Sequence, residues 1–227
     1  MAELFAVTET WKATFPGAYA GVLAMNEVTN PASHPGLAHE KEALEEQLRL
    51  TFGGLARADL EALPILRVYK DYYRRFNKTY HVQLQLESIL YKNKSIPSVS
   101  ALVEAMFMAE MKNMLLTAGH DLDTLQLPLI LDVSTGEESY VLMRGDEQTV
   151  KPGDMLIADR AGVVSNIIYG PDQRTQIRPS TRRAIFTVYA PPGITEAAVG
   201  GHLQDIEKYI LLFAPQSRVE LMRVFGT

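Results

Sequence analysis

The chain opens with short apolar runs and then changes to helical periodicity. Runs at residues 4–7 and 22–25 lie on either side of a Pro16-Gly17 turn, and they predict two short strands. Apolar residues spaced among charges over residues 39–52 predict an amphipathic helix. Residues 64–76 begin with a proline and predict a second helix. The first third of the chain therefore combines strands and helices.

The next helical signal is ambiguous, and the one after it is clear. Over residues 82–91 the apolar positions fit the period of a strand and also that of a helix. Pro97 opens a helix that the pattern extends to about Thr117, with Gly119 as its closing residue. His120 is then expected in the loop that ends this helix.

Beyond Asp121 the pattern changes to short β-branched runs separated by glycine and proline. Pro191-Pro192-Gly193 ends this β-rich block, and a long helix is predicted over residues 194–213, followed by a short one near 216–225. The predicted strands cover residues 129–133, 139–143, 155–159, 163–169 and 184–189.

This order of elements predicts an α+β fold in which helices pack on an antiparallel sheet. A parallel doubly wound sheet would instead need strands and helices that alternate regularly. We expect one domain over residues 1–213 and a C-terminal helical tail over residues 214–227.

The composition is that of an ordinary globular protein, with 47% hydrophobic and 22% charged residues. The absence of cysteine rules out disulfide bonds and thiolate zinc sites, and it fits a reducing compartment. The first twenty residues lack the basic start and long apolar core of a signal peptide. No run approaches the roughly 20 apolar residues that a membrane-spanning helix needs. We therefore expect a soluble cytoplasmic protein with no membrane partner.

Charge is distributed unevenly, although the formal net charge is −5. Residues 62–100, the first basic island, carry seven Lys or Arg against two acids, and residues 171–183, the second basic island, carry four Arg against one acid. Such clusters can neutralise RNA phosphates, but they are also typical of solvated helix or loop faces. The candidate RNA-binding residues are Arg74, Arg75 and Lys78 in the first island and Arg174, Arg178 and Arg182 in the second.

Aromatic residues lie between the basic residues of the first island. They could stack on bases, or they could be core residues at helical spacing whose hydroxyls reach the surface. The group consists of Tyr69, Tyr72, Tyr73, Phe76 and Tyr80.

Familiar cofactor and catalytic motifs are absent from the sequence. It contains no GxxxxGK[ST] phosphate loop, no GxGxxG dinucleotide motif and no GxSxG nucleophile elbow. The five histidines form neither HExxH nor an i, i+4 pair, which disfavours metal-dependent hydrolysis. We expect no cofactor and no metal.

A series of matches, each weak alone, runs in order along most of the chain after an aromatic and basic stretch near residues 65–80. The matching residues are Glu87, Ile96-Pro97-Ser98-Val99, Leu102-Val103-Glu104, Gly119-His120-Asp121-Leu122-Asp123, Gly136-Glu137, Gly153-Asp154, Ile157-Ala158-Asp159, Arg174-Thr175, Thr181 and Ala184-Ile185-Phe186. In this order and spacing, over roughly residues 1–213, the chain resembles the tRNA-binding and editing module of the phenylalanyl-tRNA synthetase β subunit.

The resemblance implies an antiparallel β-sandwich-like core that binds the acceptor end of tRNA and hydrolyses tyrosine wrongly attached to the phenylalanine tRNA. Ester hydrolysis of this kind has no obligatory metal. On this basis Asp172 and His120 are candidate catalytic residues. The candidate substrate-binding residues, expected around a pocket between the helix at 97–117 and the β-rich block, are Asp121, Asp159, Thr175 and Thr181.

The chain departs from the family pattern in three places. Gly170-Pro171-Asp172 matches a Gly-Gly-Glu turn, Phe107 falls where the family helix usually has Asn, and Ala118 falls where the synthetase has its pocket His. We therefore expect slow or absent hydrolysis of tyrosyl-tRNA. Synthetase ligase activity is not expected from this chain alone.

Two functions stay open from the sequence. One is a free-standing tRNA-binding protein that binds or acts on aminoacyl-tRNA, with deacylase activity in trans. The other is a small-molecule or amino-acid binding module that kept the fold and lost tRNA binding, because fold resemblance alone does not fix function.

Overall fold

The computed structural model describes residues 4–226 and has the expected α+β fold, with helices packed on largely antiparallel sheets. No helix among these residues is long and apolar enough to cross a membrane. The helices are α1 (Glu9–Thr14), α2 (Pro35–Phe52), α3 (Arg57–Glu61), α4 (Pro64–Arg74), α5 (His81–Lys92), α6 (Ala101–Asn113) and α7 (Glu196–Leu211). The strands are β1 (Phe5–Val7), β2 (Tyr19–Asn26), β3 (Leu116–Asp121), β4 (Leu129–Val133), β5 (Ser139–Val141), β6 (Glu147–Thr149), β7 (Met155–Asp159), β8 (Gly162–Asn166), β9 (Gly170–Pro171), β10 (Ala184–Ala190) and β11 (Arg218–Gly226).

A four-stranded antiparallel sheet in the order β11-β2-β10-β3 lies at the centre of the core. Every residue of β10 is buried, since helices α6 and α7 pack on this sheet. Gly21 lets α7 approach β2, because a Cβ at this position would lie only 2.6 Å from Cγ1 of Val199. Thr187 of β10 stands opposite Val22 on one side and Ala118 on the other.

The β-rich block forms a second sheet in the order β1-β4-β7-β8-β9, with a small β5-β6 hairpin beside it. Strand β1 pairs with β4 in parallel, and the β4-β7, β7-β8 and β8-β9 pairs are antiparallel. The bounds predicted for β4 and β7 agree with the structure, because each strand is a β-branched or apolar run that ends at a turn.

Four tyrosines of the first basic island, Tyr69, Tyr72, Tyr73 and Tyr80, belong to the core. Tyr69 stacks on Tyr80 with ring centroids 4.2 Å apart, and the Tyr69 hydroxyl donates to the carbonyl of Tyr189. The Tyr73 hydroxyl donates to the carbonyl of Ile167 at 2.6 Å. Burial raises the pKa of these tyrosines, so they bridge α4 and α5 to the sheets as neutral hydrogen-bond donors.

The helix predicted over residues 97–117 is wrong at both ends. Helix α6 ends at Asn113, because Met114 takes the left-handed conformation with φ of 57° and turns the chain into β3. Gly119 and His120 therefore lie in a strand paired with β10, not in a loop. The ambiguous segment over residues 82–91 is helical and belongs to α5.

The helical tail predicted for residues 214–227 is also wrong within the described residues. Residues 218–226 form β11, which pairs antiparallel with β2 and places the Phe225 ring 5.0 Å from that of Phe5. The edge of β2 explains this difference, because its backbone N–H and C=O groups would be unpaired without an extended neighbouring strand. The sequence pattern also missed α1, whose first turn is capped by the Thr8 side chain.

Candidate functional site

A cavity with a volume of about 590 Å³ lies between α5, α6, β3 and the segment around β9. We call it the central cavity. Ligand sites in proteins typically have volumes of about 300 to 1,000 Å³. Its lining consists of His81, Gln85, Val99, Val103, Met106, Phe107, Glu110, Thr117, Ala118, Gly119, Met143, Ile168, Tyr169, Gly170, Pro171, Gln176 and Ile177.

Most of the cavity wall is apolar. Helix α6 contributes Val103, Met106 and Phe107, while Ile177 comes from the loop before β10. The exposed side chain of Val99 also lines the cavity, so an apolar side chain is accessible to solvent there. This wall suits an apolar group.

A smaller part of the lining is polar, with Glu110 buried and His81 and Gln85 half-buried. Glu110 lies on α6, and its Oε1 accepts a hydrogen bond of 2.8 Å from the backbone N–H of Thr117. Burial raises the pKa of Glu110 to about 8. His81 and Gln85 stand one turn apart on α5, and burial lowers the pKa of His81 to about 4. At neutral pH both ionisable side chains are therefore mainly uncharged.

Asp172, Thr175 and His120 form a hydrogen-bonded chain next to this cavity. Asp172 Oδ1 accepts from the Thr175 backbone N–H at 3.0 Å and from the Thr175 hydroxyl. Nδ1 of His120 lies 2.7 Å from the same hydroxyl, which already donates to Asp172. The imidazole is fully buried, its Nε2 has no partner among the described residues, and burial lowers its pKa to about 3.

Arg174 links Asp172 to a second carboxylate. The guanidinium forms two hydrogen bonds to Asp159, at 3.0 and 2.9 Å, and its Nε lies 3.4 Å from Asp172 Oδ2. Asp159 also accepts from two backbone N–H groups, those of Gln126 and Ala161. Burial acts to raise the pKa of Asp159, but these donors outweigh it and lower the pKa.

Asp121 and Thr181 extend the same network. The Thr181 hydroxyl donates to Asp121 Oδ2 at 2.6 Å and accepts from the Arg178 backbone N–H at 2.9 Å. The Asp121 backbone N–H donates to the carbonyl of Thr175 at 2.8 Å. These bonds fasten the loop before β10 to the end of β3.

The basic residues differ in how many contacts their side chains make within the protein. The Arg75 guanidinium lies over the rings of Phe15, Tyr72 and Phe76 at 5.2 to 5.6 Å. Lys78 is exposed, with its Nζ 5.5 Å from the centroid of the Tyr169 ring.

The other basic residues line smaller cavities or contact neighbouring backbone groups. Arg74 lines a small cavity of about 160 Å³, and exposed Arg178 lines a second cavity of about 390 Å³ together with Asp172 and Arg174. Arg182 is exposed and donates to the carbonyls of Pro179 and Thr181.

Comparison with known proteins agrees with this geometry. A family model described as the B3/4 domain matches residues 66–203, which is more than half of the chain. The chain belongs to the B3/4 domain family. No curated protein matches it.

Among solved structures, the B3/4 chain is similar to an N-terminal fragment of the phenylalanyl-tRNA synthetase β subunit from Pyrococcus horikoshii. The TM-score is 0.52, the sequence identity is 12%, and the similarity covers 100% of this chain and 56% of that fragment. The resemblance inferred from the sequence is therefore confirmed at the level of family and fold. The chain spans little more than half of the fragment's length.

The B3/4 fold brings together most of the residues expected at a site. Phe107, Ala118 and Gly170-Pro171, the departures from the family pattern, all line the central cavity. The candidate binding residues Asp121, Asp159, Thr175 and Thr181 join Asp172 and His120 in one network. None of these six appears in the lining of the central cavity, and Asp172 lines the second cavity instead.

Five polar residues of the B3/4 cavity were not found as site residues from the sequence, namely His81, Gln85, Glu110, Thr117 and Gln176. The sequence does contain an indication of Glu110, because this residue is an acid within the mainly apolar segment of α6. Within residues 4–226, no group of three or more His, Cys, Asp or Glu side chains is arranged to hold a metal ion.

Proposed function

We propose that this B3/4 domain binds the aminoacylated end of a tRNA and receives the amino-acid side chain in the central cavity. The main supporting observation is that Phe107, Ala118 and Gly170-Pro171, the places where this chain departs from the family pattern, all line this one cavity. Its volume of about 590 Å³ is sufficient for an amino-acid side chain and part of a ribose.

Exposed basic residues at the cavity edge support an RNA partner. Lys78 lies over Tyr169, and Arg178 directly follows Ile177, and both of these neighbours line the cavity. Cations at these positions are suited to the phosphates that join the last nucleotides of the strand.

We expect hydrolysis of tyrosyl-tRNA by this domain to be slow or absent, and this expectation stays a prediction. Thr175 and Arg174 already engage the carboxylate of Asp172 within the protein. The His120 imidazole is fully buried, and its lowered pKa makes it a weak base at neutral pH. Binding without turnover follows from this arrangement.

The second candidate is binding of a small amino-acid-like molecule without tRNA. Two of the six candidate RNA-binding residues already contact other parts of the protein, which favours this candidate. Arg75 lies over three aromatic rings, and Arg174 is paired with Asp159. The net charge of −5 points in the same direction.

The first test is a titration with whole tRNA at low and moderate salt. We expect binding that weakens with salt, since each neutralised phosphate releases condensed counterions. The double variant Lys78→Ala/Arg178→Ala should lower the salt slope by about 0.7 to 0.9 for each phosphate that the variant no longer neutralises. Removing two positive charges at Lys12 and Lys208, which lie on α1 and α7 away from the cavity lining, is the matched control.

Absence of binding at low salt would refute the tRNA proposal and leave the small-molecule candidate. Equal weakening of binding in the two double variants would show that tRNA does not bind at the cavity edge. Binding that falls only when Lys78 and Arg178 are replaced would support the assigned surface.

A further inference from the structure

We infer that the polar end of the central cavity binds a protonated primary amine whose organic body is apolar. The inference rests on hydrogen-bond acceptors that the protein leaves without donors. It goes beyond the proposed function, because it concerns the chemistry of the bound group and does not require RNA.

His81 presents an acceptor to the cavity. Its Nδ1 lies 3.2 Å from the Tyr73 hydroxyl, which has already donated its single proton to the carbonyl of Ile167 at 2.6 Å. Nδ1 must therefore be the donor in the His81 contact, which leaves Nε2 of the neutral ring with a free lone pair. No hydrogen bond from residues 4–226 reaches that Nε2.

Gln85 adds a second acceptor one helical turn further along α5. Its Oε1 is buried and has no hydrogen-bond partner among the described residues. A buried amide oxygen without a donor costs about 1 to 3 kcal/mol, so a ligand that donates to it gains affinity. Both α5 side chains line the same cavity.

Glu110, which lines the cavity from α6, supplies the third acceptor. Its Oε1 is occupied by the Thr117 N–H, while no hydrogen bond within the described residues reaches Oε2. An ammonium group carries three N–H donors, which matches the three acceptors of His81, Gln85 and Glu110. A carboxylate is also the natural counter-ion of an ammonium in a site with little water.

The other ionisable groups near Glu110 do not compete for this role. Tyr69, Tyr73 and Tyr80 have pKa values raised by burial and further by Glu110, so they stay neutral. Lys94 lines an adjoining cavity of about 340 Å³ that shares His81 and Gln85, and Lys78 lies over Tyr169. Neither lysine forms an ion pair with Glu110 within residues 4–226.

The apolar wall of the cavity determines which organic group the bound amine carries. Phe107, Met106, Val103 and Ile177 form an apolar wall beside the three acceptors. An aminoacyl ester with an apolar side chain carries the required amine, and so does a free apolar amine. The shared chemistry is an ammonium next to a hydrocarbon or aromatic body.

Binding must release a proton if the ammonium pairs with Glu110. At pH 7 the Glu110 carboxyl is mainly protonated, since burial raises its pKa to about 8. The protonated amine enters as R–NH₃⁺, the carboxyl loses its proton to the buffer, and the carboxylate and ammonium remain as a pair. Nearly one proton per bound amine is therefore expected in the solvent at pH 7.

The test is calorimetric titration of the whole chain with 2-phenylethylamine and with two matched neutral probes, 2-phenylethanol and N-acetyl-2-phenylethylamine. We expect the amine to bind at least about tenfold more tightly than either neutral probe. Repeating the titration in buffers of different ionisation enthalpy measures the released proton. L-Phenylalanine methyl ester and 2-phenylethylamine distinguish an aminoacyl ester from a free amine as the natural ligand. Tighter binding of the ester would identify an aminoacyl group, and tighter binding of 2-phenylethylamine would identify a free amine.

Three variants separate the amine contact from general damage to the fold. Glu110→Gln keeps an oxygen for the Thr117 N–H, and it should weaken amine binding at least about tenfold and abolish proton release. Gln85→Leu should weaken binding several-fold while the proton is still released. Glu104→Gln is the control, because Glu104 is a buried acid of the same helix that does not line the cavity.

Neutral probes that bind as tightly as the amine, or a Glu110→Gln protein that binds it as the wild type does, would overturn the inference. Failure of wild-type protein to bind any of the amines would overturn it as well. These outcomes are separate from the tRNA test, since Glu110→Gln leaves the basic residues at the cavity edge unchanged.

Discussion

Asp172 fastens the turn after β9 to the loop that follows it. Its carboxylate accepts the Thr175 backbone N–H and hydroxyl, and it lies 3.4 Å from Nε of Arg174. Because the side chain is only 3% exposed, loss of the carboxylate would leave donors unpaired in a buried position. At the scale of single residues, Asp172 therefore stabilises the turn after β9, at the second cavity.

We predict that Asp172→Ala lowers the free energy of unfolding by roughly 2 to 4 kcal/mol. The same change should leave deacylation of tyrosyl-tRNA charged on phenylalanine tRNA at its slow wild-type rate. Urea unfolding measures the first effect, and single-turnover assays on a panel of mischarged tRNAs measure the second. Loss of a rapid wild-type deacylation in the variant would instead establish Asp172 as catalytic.

The network residues could be predicted from the sequence, and the polar end of the cavity could not. Asp121, Asp159, Thr175 and Thr181 lie at strand ends and turns, where short polar side chains pair with nearby backbone groups. Glu110 and Gln85 lie within helices. Periodicity shows that such positions are buried or half-buried, but not which helix faces which, so no acceptor cluster could be recognised.

At the scale of elements, the strands of the β-rich block could be predicted from the sequence. Strands β3 and β11, which pair with β10 and β2, could not. Strands β4 and β7 are marked by their own residues and turns. The residues of β3 continue the apolar pattern of α6, and they become a strand because β10 provides partners along their length. Strand β11 likewise depends on β2. Pairing between distant segments overrode the local helical signal in both cases.

We predict that removal of residues 218–227 exposes the edge of β2 and causes aggregation. Strand β11 covers this edge from Arg218 to Gly226, and the Arg183 guanidinium binds Glu220 through two hydrogen bonds of 2.8 Å. An uncovered apolar edge strand is a template for pairing with another chain. Light scattering and thermal unfolding of the truncated chain would measure the effect.

Removal of Thr227 alone is the control, and it should behave as the full chain does. A truncated protein that stays monodisperse with an unchanged melting temperature would show that β2 does not need this partner. In that case the central sheet would be stable with three strands.

At the scale of the whole molecule, five buried or half-buried ionisable side chains are shifted towards their neutral forms. Burial raises the pKa of Glu110 to about 8 and that of Asp154 to about 7. Burial lowers the pKa of His81 and His202 to about 4 and that of His120 to about 3. At these five positions the buried side chain therefore carries little charge at neutral pH.

These shifts predict that the free energy of unfolding falls from slightly acidic pH both towards lower pH and towards higher pH. The three histidines take up protons in the unfolded chain as the pH falls below about 6.5, so their contribution to stability is lost towards acid pH. The two carboxyls ionise near pH 4 when unfolded but near 7 to 8 when folded, so their contribution is lost as the pH rises. Below pH 6 the histidines outweigh the carboxyls, and above pH 7 the carboxyls act alone.

The free energy of unfolding should therefore decrease from pH 6.5 to pH 8, and Glu110→Gln should reduce that decrease by roughly 2 kcal/mol. The amide is neutral in both states, so it removes the contribution of Glu110 while keeping an acceptor for Thr117. Glu46→Gln, an exposed change on α2, is the control and should keep the wild-type pH dependence. Urea unfolding at half-unit pH steps measures all three proteins. A wild-type stability that increases from pH 6.5 to pH 8 would mean that Glu110 and Asp154 are already ionised in the folded protein, and the neutral cavity would then be wrong.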